Sequence, residues 1–376
     1  MSPGRTVGQV SLDQPRVRAR SRTRRQPGPG AGTWSAHRWL HGGRPVSDTA
    51  IVAAAAAGVP PRELFELVER GDEGRVWGTA VQRTDVDLSE LPSMPANGFV
   101  VTLADPGYPA ALRSTSAPPR ILYGIGEPSV LARAGIAVIG TRYPSVLGER
   151  VAEAAAAAVA GARAPLITGG ARGCDEIAAT AAVQLGVPVV LVLGTGPDQV
   201  ADSQTAERVA DVLASGGVVV SEHPFGTGTD AAAGYQPAAY TSRLMARNRI
   251  VVGLAGLTVP ASGTFGSGTG AAVWSAFATG RPVVVASPRP GARSLPDAAL
   301  AAALAHPSVP GVEQLRAAGC PARLAIEIAQ RLAGQGPLAH AVAHDSDELE
   351  ELVTALWWLS PWRASAHDGN VGSPAD

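Results

Sequence analysis

Lysine is absent from all 376 residues, so every one of the 31 basic side chains counted with it is an arginine. With alanine, glycine and proline also abundant, this reads as a coding bias toward GC-rich codons, and arginine content by itself says little about function. The 32 acidic residues bring the net charge to −1, which excludes a globally basic nucleic-acid binder and leaves only local clustering as a route to polyanions. Cysteine is nearly missing. Cys174 and Cys320 lie far apart with no C-x-x-C pair, so neither a disulfide framework nor a cysteine zinc site is indicated, and a reducing cytoplasm fits. Also missing is an apolar h-region behind the N-terminal arginines, so no targeting signal is expected. The two long uncharged spans, 177–197 and 250–280, are broken by Gly, Pro, Ser and Thr and read as helix, loop and strand pieces of a core rather than membrane spans. The expectation is a soluble, cytoplasmic protein. Aromatic residues are scarce too, and Tyr143, Tyr240 and Phe265 are the only ones near the loops described below.

The best-organised stretch runs from Ile136 to Asp175. A short apolar run ends at Gly140, a helical segment follows Pro144, a second apolar run covers Leu166 to Thr168, and a second Gly-rich loop enters another helix. That is one βαβ unit, whose right-handed crossover leaves both loops on one edge of a parallel sheet, where helix N-termini favour anions. Arg142 and Arg172 sit one in each loop, pointing to a phosphate-bearing partner.

Along the chain, residues 1–46 combine Pro, Gly and Ser with the run RVRARSRTRR and are expected to be disordered. They read either as a basic arm adding nonspecific affinity for nucleic acid or as a tail without a role, with the start placed too far upstream; the second is the default. Residues 47–98 form a small helical module, with one helix, a Val-Pro-Pro break and a second helix opening at Pro61. FVVTL at 99–103 is a β-rich run, and a Pro-punctuated connector follows it. Strand signals then recur at Ile136–Ile139, Leu166–Thr168, Val187–Leu193, Val218–Ser221, Leu257–Val259 and Pro282–Ala286, mostly with helical segments between. Continuous Val/Ile/Leu strands in βα alternation predict an α/β fold with a mostly parallel, doubly wound sheet at 99–290. Residues 291–376 read as a helical C-terminal region with a polar tail, in which Trp357, Trp358 and Trp362 are core by default and otherwise a docking patch.

Four loops follow strand ends: Gly140–Ser145, Gly169–Gly173, Gly194–Gly196 and Ser262–Gly270, the last able to cradle an anion through main-chain N–H groups and the hydroxyls of Ser267 and Thr269. Ser145 reads equally as a helix N-cap, Asp175 more readily as a cap than as a chemical group, and Cys174 as a small buried apolar residue. Arg142 has Glu149 or Glu222 as candidate ion-pair partners. The densest cationic cluster is Arg243, Arg247, Asn248 and Arg249, entering the apolar run at Ile250, where phosphate binding outranks structural pairing.

Taken together, YPAALRSTSAPPRILYGIGEP, AVIGTRYPSVLG, ITGGARGCDEIAA, VLGTG, VVSEHPFG, RNRIVVGL, SGTGAAVWSAFATGRPVVVASP and GVEQLRAAGC resemble, in order, the motifs of the DNA-processing protein A (DprA/Smf) family, over about half the chain. The resemblance implies an extended Rossmann-like domain that binds single-stranded DNA, forms a homodimer and loads a RecA-type recombinase, without catalysis, metal or cofactor. It places Gly140, Arg142, Ser145, Gly169, Arg172, Gly173, Arg247, Asn248, Arg249, Ser267 and Gly268 at motif positions, to which the arginine cluster adds Arg243 and the Gly-rich loop Thr269. The chain departs from the family pattern at Ala179, Leu244, Met245, Pro260 and Ala272, all around the Gly-rich pocket. The alternative function is a nucleotide-binding sensor or a phosphoribohydrolase-like enzyme of the same sheet superfamily; against hydrolysis, the carboxylate that loop needs falls on Ala272.

Overall fold

The computed structural model describes residues 46–84, 87, 90–200, 202–229, 237–263, 267–286, 341–343 and 346–360. Nearly all of the basic tail, most of 291–376, Phe265, Cys320 and Trp362 lie outside these residues. Among the described residues, no helix is long and apolar enough to cross a membrane.

Three short helices open the chain: α1 (Asp48–Ala56), α2 (Pro61–Glu69) and α3 (Glu73–Arg83). Each start has a local cause. Ser47 accepts from the Ala50 N–H, Pro61 occupies the first turn of α2 with Glu63 behind it, and Asp72 accepts from the Arg75 N–H, the residue types that helix N-termini favour. Glu73 ties α3 back to the start of α1, accepting from the Ser47 hydroxyl at 2.6 Å and from the Trp77 indole at 3.3 Å. The expectation of two helices here missed α3.

The sheet comprises β1 (Gly98–Thr102), β2 (Ile121–Gly126), β3 (Gly135–Gly140), β4 (Leu166–Thr168), β5 (Val189–Val192), β6 (Val218–Ser221) and β7 (Ala255–Ser262), in the order β1-β2-β6-β5-β4-β3-β7. The five central and β7-side strands pair in parallel, while β2 runs antiparallel to both β1 and β6. β2 corrects one expectation. Its residues, ILYGIG, fall in the stretch whose flanking prolines predict a connector, yet the run between those prolines is apolar and pairs with two strands. The parallel strands are buried along almost their whole length, as continuous Val/Ile/Leu segments require when both faces are covered.

The covering helices are α4 (Ala110–Arg113), α5 (Val146–Gly161), α6 (Cys174–Gln184), α7 (Ser203–Ala214), α8 (Pro237–Leu254) and α9 (Gly268–Ala278). One core lies under α8 and α9, with Ile250, Val251, Trp274 and Phe277; the other lies under α5 and α6, with Ala152, Ala155, Ala156 and Ala178. The small alanine faces let α5 and α6 approach the sheet closely. A third cluster joins α1–α3 to the Ile121, Tyr123 and Ile125 face of β2.

Beyond the sheet, β8 (Val284–Ala286) pairs in parallel with β9 (Ala341–Ala343) as a separate two-stranded sheet, linked to β7 by one bridge between Thr258 and Val283. The last helix, α10 (Ser346–Leu359), lies against α5. It buries Trp357 and leaves Trp358 exposed, so the two neighbouring tryptophans have opposite environments.

Candidate anion-binding site at the strand ends

The chain steps from β3 through β4 and β5 to β6 on one side, then α8 carries it back to β7 on the other side of β3. The strand order therefore reverses between β3 and β7, and open α/β sheets bind ligands in the crevice at such a reversal. The Gly140, Gly169, Gly194 and Ser262 loops follow the carboxyl ends of β3, β4, β5 and β7, in neighbouring positions along that edge.

The β3 loop is close to its neighbours. A Cβ on Gly140 would stand 2.4 Å from Cys174 Cβ and 3.0 Å from the Ser262 carbonyl. The loop ends at Ser145, whose hydroxyl accepts from Gly148 N–H at 3.3 Å to cap α5. Between them, Arg142 and Tyr143 are exposed, and neither Glu149 nor Glu222 pairs with Arg142 among the described residues. Arg172, exposed in the β4 loop, lies 5.8 Å from the Tyr143 ring centroid, a cation–π contact joining the two loops. Gly173 has φ +87°, and a Cβ there would be 2.5 Å from the Thr141 carbonyl. Only glycine meets both demands.

Asp175 corrects the expectation of a helix cap. It lies inside the first turn of α6; Gly173 occupies the cap position, and Glu176 accepts from the Gly173 N–H at 3.4 Å. The Asp175 carboxylate instead accepts main-chain N–H groups from Gly140 at 3.2 Å, Gly169 at 3.1 Å and Ala171 at 3.4 Å. One buried side chain thus pins the β3 loop to the β4 loop. Burial pushes its pKa above the ordinary carboxylate value, against the opposing pull of Arg247 and the three N–H groups.

The arginine cluster occupies one helix, α8, and its members diverge. Arg249, partly exposed, is engaged by the protein itself: it donates to both oxygens of Glu222 at 2.7 and 2.6 Å, to the Ala246 carbonyl at 3.0 Å and to the Ala117 carbonyl at 3.2 Å. Arg243 donates to the Gly228 carbonyl at 3.0 Å. Asn248 donates to the Gly268 carbonyl at 3.2 Å, fixing α8 to the start of α9. There Ser267 caps α9 by accepting from Gly270 N–H at 3.4 Å, Thr269 is buried, and no acidic residue occupies the first turn.

Arg247 is 5% exposed, and its guanidinium lies against Gly169, where a Cβ would fall 1.4 Å from Nη1. Its Nε is buried without an acceptor. Asp175 attracts it, but no ion pair joins the two among the described residues. Burial lowers the Arg247 pKa, and Arg142 lowers it further. Tyr240, about two helical turns earlier on α8, has its phenol pKa raised by burial and by Asp202, against the pull of Arg247, Arg142 and Arg243. Asp202 went unnoticed in the sequence. Its signal was the run DSQTAERVADVL, an N-cap aspartate ahead of an amphipathic helix, and it does accept from Thr205 N–H at 2.7 Å.

The departures from the family pattern fall in packed surroundings. Ala179 and Ala272 are buried, Leu244 lies against Gly194, Met245 is exposed beside Gly268, and Pro260 sits in the edge strand β7, the position in a sheet that tolerates a missing donor. Among the described residues no group of His, Cys, Asp and Glu could hold a metal ion.

Residues 99–321 match the family model described as DNA recombination-mediator protein A. Protein Smf of Escherichia coli is 33% identical over 147 residues, 39% of this chain and 37% of that protein. A putative DNA processing protein DprA of Mycobacterium tuberculosis is 30% identical over 263 residues, 64% and 63% of the two chains. The chain therefore spans less than two thirds of the length of these relatives. Two solved structures are similar: DNA processing protein A from Streptococcus pneumoniae, with 20% identity, a TM-score of 0.49, and coverage of 81% of this chain and 92% of that one; and DNA processing protein A from Helicobacter pylori, described with a single-stranded DNA binding mode, with 22% identity, a TM-score of 0.43, and coverage of 52% and 82%. The family match runs from β1 past β8 and takes in all four loops and the arginine helix, and the chain belongs to the DNA recombination-mediator protein A family.

Proposed function

We propose that the strand-end cluster binds the sugar-phosphate backbone of single-stranded DNA, as a noncatalytic DNA-processing protein. One observation carries this reading: Arg142 and Arg172 stand exposed on neighbouring strand-end loops, and Arg247, seated against Gly169 of the second loop, lacks a hydrogen-bond acceptor for its buried Nε. Guanidinium groups match phosphate oxygens in forked geometry. Exposed Tyr143 with half-buried Tyr240 supplies ring faces on which bases stack without regard to sequence. Gly140, Gly169, Gly173 and Gly268 keep side chains out of the way, Ser145 and Ser267 hold the helix starts, Thr269 closes the β7 loop, and Asn248 and Arg249 fix α8 in place. Family membership adds DNA recombination as the setting. Homodimerisation and delivery of the DNA to a RecA-type recombinase enter this proposal from the family resemblance alone, and a cytoplasmic location from the sparse, widely separated cysteines and the lack of a targeting signal in the sequence.

The phosphoribohydrolase alternative needs a carboxylate where Ala272 is buried, and Glu222, the nearest substitute in sequence terms, is committed to Arg249. The test is fluorescence anisotropy with a labelled oligonucleotide. We expect binding that weakens with salt and a loss of about tenfold or more for Arg142→Gln combined with Arg172→Gln, two exposed changes removing charge-assisted contacts of roughly 1 kcal/mol or more. Salt-insensitive binding, or release of free base from mononucleotides, would reverse the assignment.

A further inference from the structure

β1 is an end strand of the sheet, and among the described residues no strand pairs with its far side. Its bonds to β2 are made at Asn97 and Leu103 and, by the alternation of an antiparallel ladder, at Phe99 and Val101 between them. The N–H groups of Gly98, Val100 and Thr102 therefore face outward. The run GFVVTL at 98–103 has no charge and no proline, the composition of an edge that pairs with another chain. All three outward donors are nevertheless taken. Gly98 N–H donates to the Pro95 carbonyl at 2.8 Å, Thr102 N–H to the Asp105 carboxylate at 2.6 Å, and Val100 N–H to the Asp48 carboxylate at 3.2 Å. The first two acceptors lie three residues from their donors and come with local turns. Asp48 is 52 residues away, in the first turn of α1, so the middle of the edge is closed only by the seating of the helical module. That seat is held by Ser47, whose N–H and hydroxyl donate to Glu73 at 3.3 and 2.6 Å, and by the apolar cluster shared with β2.

We infer that β1 is a strand-addition surface for a second copy of this chain, and that the α1–α3 module is the cover that holds it shut. Antiparallel pairing about a two-fold axis at Val100 sets the same residues of both copies against each other, an isologous contact that closes on itself. In it, Val100 N–H of each copy donates to the Val100 carbonyl of the other. The Asp48 carboxylate opposes this twice: it consumes the donor, and it sets a negative acceptor where the incoming carbonyl would have to stand. Lifting α1 removes both obstacles. The inference is independent of the DNA reading, since β1 ends the sheet on the side away from β3 and β7.

The full chain carrying Ser47→Ala and Asp48→Ala loses the polar ties of α1 to α3 and to β1. In size-exclusion chromatography with light scattering, it should show a concentration-dependent species about twice the mass of the wild-type particle. Adding Val100→Pro, which removes an outward N–H that β2 does not use, should return the mass to the wild-type value. Asp48→Asn, whose amide oxygen still accepts from Val100, should keep the wild-type mass. In the wild-type protein, hydrogen exchange read by NMR should release the Val100 amide together with those of α1, and about tenfold or more faster than Val101, whose N–H faces β2. A folded double variant that stays at wild-type mass, or an assembly that survives Val100→Pro, overturns β1 as the surface. If the double variant does not fold, the exchange measurement decides, and a Val100 amide held as long as that of Val101 overturns the cover.

Discussion

Arg281 is fully buried, and its guanidinium donates to three main-chain carbonyls: Ala255 at 2.6 Å, Ala111 at 2.6 Å and Gly253 at 2.8 Å. These lie at the start of β7, in α4 and near the end of α8, so one side chain joins three elements. Arg281→Met would bury those carbonyls unpaired at roughly 1–3 kcal/mol each, and thermal or urea unfolding should show a loss of at least about 3 kcal/mol; a loss under 1 kcal/mol would show that the carbonyls find other partners. Asp175 makes the opposite kind of statement. Burial raises its pKa, so between the ordinary value and the raised one the folded state holds a proton that the unfolded chain has released. Its contribution to stability therefore grows as pH falls through that window, contrary to the usual acid-labile carboxylate. Comparing wild type with Asp175→Asn in urea, the stability difference should move toward wild type on going from pH 7 to pH 5. Movement the other way would mean that the three N–H bonds outweigh burial.

At the scale of elements, α8 shows how a compact sequence motif is distributed in space. RNR reads as one patch of charge, but successive helical residues turn by about 100°, which separates Arg247, Asn248 and Arg249 toward the β4 loop, α9 and Glu222. Glu222, a candidate partner for Arg142 on the sequence, is taken instead by Arg249, which stands 27 residues from it. Gly169 is the matching element on the sheet side. Gly169→Ala would place a methyl group 1.4 Å from Arg247 Nη1, so the guanidinium must leave its seat; the variant should fold and lose DNA affinity to about the extent of Arg247→Gln, whereas an unchanged titration would show that Arg247 contributes nothing in that position. Strand β2 was hidden for a different reason: its flanking prolines suggested a loop, and only its pairing with β1 and β6 identifies it.

At the scale of the molecule, a net charge of −1 means that binding to a polyanion must rest on local arginine clusters, and the proposal assigns it to those at the strand ends. If three or four phosphates are neutralised, the slope of log affinity against log salt should be about −2 to −3, at roughly 0.7 per phosphate for a single strand. A slope near zero would remove the electrostatic basis of the reading, and a slope of about −6 or steeper would call for a second cationic surface. By itself, the order of apolar runs and Gly-rich loops determined that this is an α/β chain with a mostly parallel sheet, because strand and helix periodicities and loop glycines act locally. Which arginine faces a ligand and which is held by a carboxylate, that Asp175 ties two loops instead of capping a helix, and that α10 covers α5 were decided only by the tertiary structure. Those outcomes depend on contacts between residues tens to nearly two hundred positions apart, whose energies are set by burial and distance and leave no pattern along the chain.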